Sequence, residues 1–310
     1  MLYDKNPVYP HYLHLPYSQE PWKTLYVLQR LLTTLILVPV WAIKYSLLPR
    51  HFRPRKSWNL RQVIYVNFTR RIFKVTEVAG VTWGTKDPSQ AANKESMSET
   101  EFMWVEPLKP EWRTGILKDG VKKINGEERV PFVRVGCYVW PKAEEFGRGN
   151  MDLESGTEEE SDGDEVKLVG VFLHGGGYCH MSAHESSRTS QIPRGLIKAS
   201  LSNSSRQLSL IMYSQRNILH KVFSVEYRLL QHAAFPGVVM DAAAVYSHVV
   251  GLYSALIALK KYKIILVGDS SGGNLVLALA RWIRDEGHLP MPNGLLLLSV
   301  RGDIVSQWQN

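Results

Sequence analysis

The chain has 310 residues, 45% hydrophobic and 21% charged, a balance that supports a sizeable buried core and excludes a disordered or fibrous protein. The formal net charge of +8 is uneven: Arg50, Arg53, Arg55, Lys56, Arg61, Arg70, Arg71 and Lys74 follow directly on an apolar stretch, which favours a membrane surface over nucleic acid. Two cysteines, Cys137 and Cys179, are too few for a disulfide framework, and Cys179 reads as a small buried hydrophobe.

Residues 1–24 form a Pro- and Tyr-rich tail, and residues 25–48 read as a transmembrane or interfacial helix. From Leu31 to Ile43 that segment carries no charge, and snorkelling by Arg30 and Lys44 extends it to a span of roughly 17–20 residues. Trp22, Tyr26, Trp41 and Tyr45 suit an interfacial aromatic belt. The run starts late and lacks a small-residue cleavage site, unlike a signal peptide. The competing reading is an apolar helix packed on the domain or lying in the interface, broken at Pro39.

Residues 49–130 are basic and then mixed, with weak periodicity, and read as a linker and a cap-like region over the substrate side. The remaining 131–310 read as the main, core-bearing domain. Its first strand lies in PFVRVGCYVWP, Pro131 to Pro141. The acidic run at 152–165 reads as a solvated loop; no ligand spacing there makes a metal site, and no cofactor is called for.

From Val166 the pattern alternates strand and helix, as a parallel sheet requires. Strands are expected at Val166 to Leu173, Val222 to Arg228, Lys263 to Val267 and Leu295 to Val300. Helices are expected from about Glu185 to Ser200, Asp241 to Leu259 and Gly273 to Glu286. Residues 201–221 are long for a helix-to-strand connection, so a surface insertion and translated non-coding sequence are competing readings.

Two of these strands break into glycines. Gly268, Ser270 and Gly272 form G-x-S-x-G, in which glycine on both sides lets a strand reverse into a helix around an exposed serine nucleophile. His174, Gly175, Gly176 and Gly177 end an earlier strand, where side-chain-free backbone can aim N–H groups at a developing oxyanion. The chemistry indicated is acyl transfer from an ester. In this architecture an acid and then a histidine follow the serine. After Ser270 the sequence holds one histidine, His288, with Asp285, Glu286 and Asp303, and the first three of these lie at a helix end where surface charge is ordinary. Triad acid and base are therefore expected to be missing, and His180 and His184 read as loop or wall residues.

The HGGGY loop at 174–178, VEYRLLQHAAFPGVVMDAAAVY at 225–246 and GDSSGGNL at 268–275 resemble the hormone-sensitive-lipase-like branch of the α/β-hydrolase superfamily, over roughly 131–299. With the apolar N-terminus, the chain is similar to membrane-anchored arylacetamide or steryl deacetylase relatives, especially fungal ones. The resemblance implies an α/β-hydrolase fold with a mostly parallel sheet, here cut short at its C-terminus, and an N-terminal anchor helix. It implies a serine carboxylesterase acting on hydrophobic esters, with Ser270 as nucleophile, backbone at Gly175, Gly176, Gly177 and Ser271 as oxyanion hole, and His174 positioning the loop. Tyr227, Arg228, Phe235, Pro236 and Asp241 match structural positions, whereas Leu230 to Ala233 replace the usual acidic, proline-containing turn. The implied partners are an ester substrate and membrane lipid, with no nucleic acid, and the implied location is the endoplasmic reticulum membrane. The basic stretch after Leu48 would keep the hydrolase cytosolic, while such relatives face the lumen. An active esterase with an unusual base, an inactive truncated relative and a gene-model fragment ending in VRGDIVSQWQN remain the alternatives.

Overall fold

The computed structural model describes residues 15–118, 123–124, 127–128, 130–142, 166–205 and 218–300. The acidic run, residues 206–217 of the expected insertion and residues 301–310 lie outside these. The chain divides into two compact units, Met1–Trp83 and Gly84–Asn310.

In the first unit, helix α1 runs from Trp22 to Leu47 and α2 from Leu60 to Ala79. The sequence pattern pointed only to the first. The second has a start signal in its local chemistry: Asn59 Oδ1 accepts the Gln62 N–H and Gln62 Oε1 accepts the Asn59 N–H, both at 2.8 Å, a reciprocal cap. Gly80, left-handed at φ 62°, ends it. Among the described residues α1 is the one helix long and apolar enough to cross a membrane, and it is mostly exposed.

The second unit is built on a six-stranded sheet. Its strands are β1 (Glu101–Val105), β4 (Val135–Trp140), β5 (Lys167–Leu173), β6 (Ile218–Glu226), β7 (Tyr262–Asp269) and β8 (Gly294–Leu298), in the spatial order β1-β4-β6-β5-β7-β8. A separate two-residue pair joins β2 (Lys123–Ile124) and β3 (Glu127–Glu128). β1, β4 and β6 pair antiparallel, while β6, β5, β7 and β8 run parallel. Strand β1 was not expected in the 49–130 region; its Phe102 and Val105 are buried but the strand is too short for a clear period.

The central parallel strands β5 and β7 are mostly apolar because both faces are covered, while the edge strand β8 leaves Leu295 and Leu297 exposed. On one face Val169, Val171 and Leu173 of β5 meet α4 (Gly237–Leu252) and α6 (Ser271–Glu286) in the main core. On the other face Phe172, Val222 and Val267 pack with Ile197 of α3 (Gln191–Ser205). Helix α3 starts later than expected, and Glu185, left outside it, ties down the segment leading into β1. Its carboxylate accepts the backbone N–H groups of Ser98 at 2.8 Å and of Glu99 and Thr100 at 3.0 Å. The helix expected to run to Leu259 is interrupted at Tyr253, whose ring is buried beside Phe223 and Tyr262, and resumes as α5 (Ser254–Ala258).

Where β6 ends, Arg228 is buried against Asp241 of α4. Its Nε and one terminal nitrogen donate to the carboxylate at 2.9 and 2.7 Å, its other terminal nitrogen donates to Pro131 O at 2.8 Å, and its backbone N–H also reaches Asp241 Oδ2 at 2.8 Å. Both charges are nearly dry, so removing one strands the other. Asp241→Ala is expected to cost about 3–5 kcal/mol in urea unfolding, and pairing Asp241→Leu with Arg228→Met is expected to recover much of that loss.

Candidate active site

Strand β7 and helix α6 meet at Ser270, which has φ 53° and ψ −116°, a conformation an L-residue holds only when its surroundings enforce it. The enforcement is visible. The Ser270 N–H donates to Leu298 O of β8 at 2.8 Å, and its carbonyl accepts from the N–H groups of Gly273 at 3.1 Å and Asn274 at 3.3 Å. The turn is so tight that a Cβ on Gly268 would collide with the Gly272 carbonyl, and one on Gly272 with the Leu173 carbonyl of β5. These contacts leave the Ser270 side chain exposed while Ser271 is buried.

The loop leaving β5 lies against this turn. A Cβ on Gly175 would stand 2.9 Å from Asp269 O and 3.4 Å from Ser270 Cβ, so only bare backbone allows the approach. Gly176 sits at φ 123°, and its carbonyl accepts the N–H groups of Cys179 at 3.2 Å and His180 at 3.1 Å, which closes the loop on itself. The Gly177 N–H donates to Ser271 Oγ at 2.9 Å and is committed there. Among the described residues, the N–H groups of Gly175, Gly176 and Ser271 have no protein acceptor. Of these three residues, Gly175 packs against the Ser270 turn and Ser271 follows Ser270 in the chain.

His174 is fully buried. Its ring stacks on Tyr227 with centroids 4.2 Å apart, and its Nδ1 lies 2.8 Å from Gly175 O, while the Tyr227 hydroxyl donates to His174 O at 2.6 Å. Burial pushes this imidazole down to about 4, so it is neutral at ordinary pH. Its Nε2 is buried without a protein partner among the described residues.

No described side chain hydrogen-bonds the Ser270 hydroxyl. His180 is buried, and burial pushes it down to about 4. His184 bonds Ser186 Oγ at 2.8 Å and meets the Tyr138 ring edge-on. His288 lies two residues past the far end of α6, whose 16 residues span about 24 Å from the Ser270 end, with Thr114 Oγ1 3.0 Å from its Nε2 and its ring stacked on Trp112. Asp285 at the same end pairs with Arg284 at 2.7 Å. Asp303 falls outside the described residues. No group of three or more His, Cys, Asp or Glu among the described residues could hold a metal ion.

Sequence reasoning missed Glu226. It is buried beneath the loop, and its Oε2 accepts the Ala183 N–H at 2.7 Å. Desolvation raises its carboxyl to about 8, against smaller opposing effects of the Ala183 bond and Lys86. The signal was a lone carboxylate inside the apolar strand VFSVEYR, since unpaired acids are seldom buried.

Residues 204–308 match a family model described as the α/β hydrolase fold. With the sheet order above, the second unit has an α/β-hydrolase fold with a mixed, mostly parallel sheet. No curated protein matches the chain. Among solved structures it is similar to carboxyl esterase 2 from the mycorrhizal fungus Tuber melanosporum, at 16% identity and TM-score 0.37, covering 70% of this chain and 48% of that one. It is also similar to brefeldin A esterase, described as a bacterial homologue of human hormone-sensitive lipase, at 17% identity and TM-score 0.37, covering 67% and 42%. An esterase of Pyrobaculum calidifontis is similar at 22% identity and TM-score 0.34, covering 61% and 40%. The chain thus spans less than half the length of each of these three.

Glu226 makes stability depend on pH. An ordinary glutamate titrates near 4.5 and the buried one near 8, so the native state holds a proton that the unfolded chain has released. Its contribution is fully present below pH 4.5 and is lost as pH rises through 8. Glu226→Gln keeps an acceptor for Ala183 and cannot ionise. In urea unfolding, variant and parent are expected to be alike near pH 5, with the variant more stable by an amount on the order of a few kcal/mol near pH 9.

Proposed function

We propose that the protein is a serine ester hydrolase of the carboxylesterase type. The observation that carries this reading is Ser270, exposed at a strained strand-to-helix turn with the backbone of the glycine loop packed against it at Gly175. Ser270 Oγ attacks the ester carbonyl carbon, and the N–H groups of Gly175, Gly176 and Ser271 hold the negative charge that develops on oxygen. Gly177 and His174 act one step back, the first by fixing Ser271 and the second by fixing the loop through Tyr227. Collapse expels the alcohol, and water then releases the acyl group from Ser270. The resemblance to deacetylase relatives favours short acyl esters of hydrophobic alcohols, and α1 favours action at a membrane.

The serine proton needs a base, and none of the described side chains bonds Ser270. That observation favours a second reading, a relative that binds esters without turning them over. With a triad incomplete, acceleration rests on binding and the oxyanion donors, on the order of 10³–10⁴ over water.

Hydrolysis of p-nitrophenyl acetate by the 310-residue chain is therefore expected to be slow, and Ser270→Ala is expected to lower it further. Turnover left unchanged by Ser270→Ala would sink the assignment. Robust turnover that disappears in Ser270→Ala would uphold the nucleophile, refute the missing base and make His180 and His184 the next residues to replace.

A further inference from the structure

The first unit carries information about how the protein meets a membrane. Its helix α1 is long enough to cross a bilayer, about 39 Å against a hydrocarbon core of about 30 Å, and its outer face is apolar and exposed at Leu25, Leu28, Leu32, Leu35, Ile36 and Ile43. The opposite face is not free. At the middle of α1, about 18 Å from either end, Thr33 and Thr34 hold the guanidinium of Arg71 from α2. Arg71 Nε donates to Thr34 Oγ1 at 2.9 Å and a terminal nitrogen donates to Thr33 Oγ1 at 2.8 Å, while Arg30 Nε reaches Arg71 O at 3.4 Å. Thr34 is the buried residue of α1.

A helix packed this way cannot cross a bilayer without taking its partner along. Helix α2 carries Arg61, Arg70, Arg71, Lys74 and Glu77 on 20 residues. An arginine or lysine at the centre of a bilayer costs about 2.5–3.5 kcal/mol on the insertion scale, and α2 would bring several. In the interface the same charges are favourable. Arg50, Arg55, Lys56, Arg61 and Arg70 are exposed on the turn and on α2, where anionic headgroups would attract them, and Tyr65, Phe68 and Phe73 are exposed aromatics of the kind that sit at headgroup depth.

We propose that residues 15–83 form a monotopic membrane-binding hairpin: α1 lies along one leaflet of an anionic bilayer with its Leu/Ile ridge in the acyl boundary, and α2 stays at the headgroups. This deepens the membrane reading made above and rests on it. The apolar ridge from Leu25 to Leu47 extends about 33 Å in the plane of the leaflet, and neither end of α1 crosses to the other side.

The test separates membrane binding from its mode. The full chain is expressed into sealed microsomes with one added cysteine, Gln19→Cys before α1 or Ser57→Cys after it, both at exposed positions. Labelling by a membrane-impermeant maleimide is read against the parent, whose Cys137 is buried and Cys179 partly so. The expected result is that both positions label alike, either both from outside or both only after detergent. Opposite behaviour means that α1 spans and overturns the proposal while leaving membrane anchoring intact. In parallel, the purified chain is floated with phosphatidylcholine vesicles with and without phosphatidylserine. Flotation is expected to rise with phosphatidylserine, fall with salt and be lost in Leu32→Glu/Ile36→Glu, with the urea unfolding of the second unit unchanged. Failure to float with either vesicle, with the chain in the soluble fraction of the microsomes, overturns this proposal and the membrane reading together, and leaves the Ser270 assignment untouched.

Discussion

The second unit depends on a close approach of three backbones. The end of β5, the end of β7 and the start of α6 come together at Leu173, Gly268 and Gly272 with no room for a single Cβ between them. Because β5 is paired with β7 along its whole length, Leu173 opposite Gly268, this approach is fixed by the sheet and not by the loops. Helix α6 is thereby forced to begin at once, and Ser270 absorbs the reversal in its own backbone. The strain is offset by apolar burial: Leu275, Val276, Leu279 and Ile283 seat α6 on the sheet, and each buried side chain of this kind contributes about 1.5–3 kcal/mol. The exposed hydroxyl is a consequence of packing behind it.

Three successive residues where β6 ends translate that sheet into loop geometry. Glu226 holds the far end of the glycine loop through Ala183, Tyr227 holds its near end through His174, and Arg228 holds α4 through Asp241 and the Pro131 carbonyl directly. All three are buried, so each bond is made away from water, where an unmade one would be costly. The polar chemistry of this region is thus concentrated in one strand end. It fixes both the loop beside Ser270 and the helix that covers the sheet. The uncharged carboxyl that Glu226 presents at neutral pH and the neutral ring of His174 follow from the same dryness.

The first unit solves a different problem. Its polar bonds, between Arg71 and the two threonines of α1, are spent on holding two helices together, and among the described residues the apolar ridge of α1 stays exposed. An apolar face of this extent is unusual on a surface exposed to water alone. In the second unit the apolar helix α4 shows the contrasting outcome, with Val238, Ala242, Val245 and Val249 wholly buried against the sheet.

Much of this was legible in the sequence because strands covered on both faces must be apolar and the turns between them need glycine. The runs KLVGVFL and YKIILVGD, broken by HGGG and GDSSGG, marked β5, β7 and the residues around Ser270 without any knowledge of pairing. The antiparallel β1 and the amphipathic α2 were not legible: one is five residues long, and the other buries only Val63, Val75 and Ala79, so neither carries a strong period. Nor could spacing say which N–H groups stay unengaged, that Gly177 is taken by Ser271, or that Glu226 is buried and protonated, although it did place His288 at the far end of the helix after Ser270. Composition and local pattern fix what a segment can become, since they act over a few residues. Who meets whom across the fold, and which groups lose water in doing so, is set by strand order and helix docking, which join residues far apart in the chain.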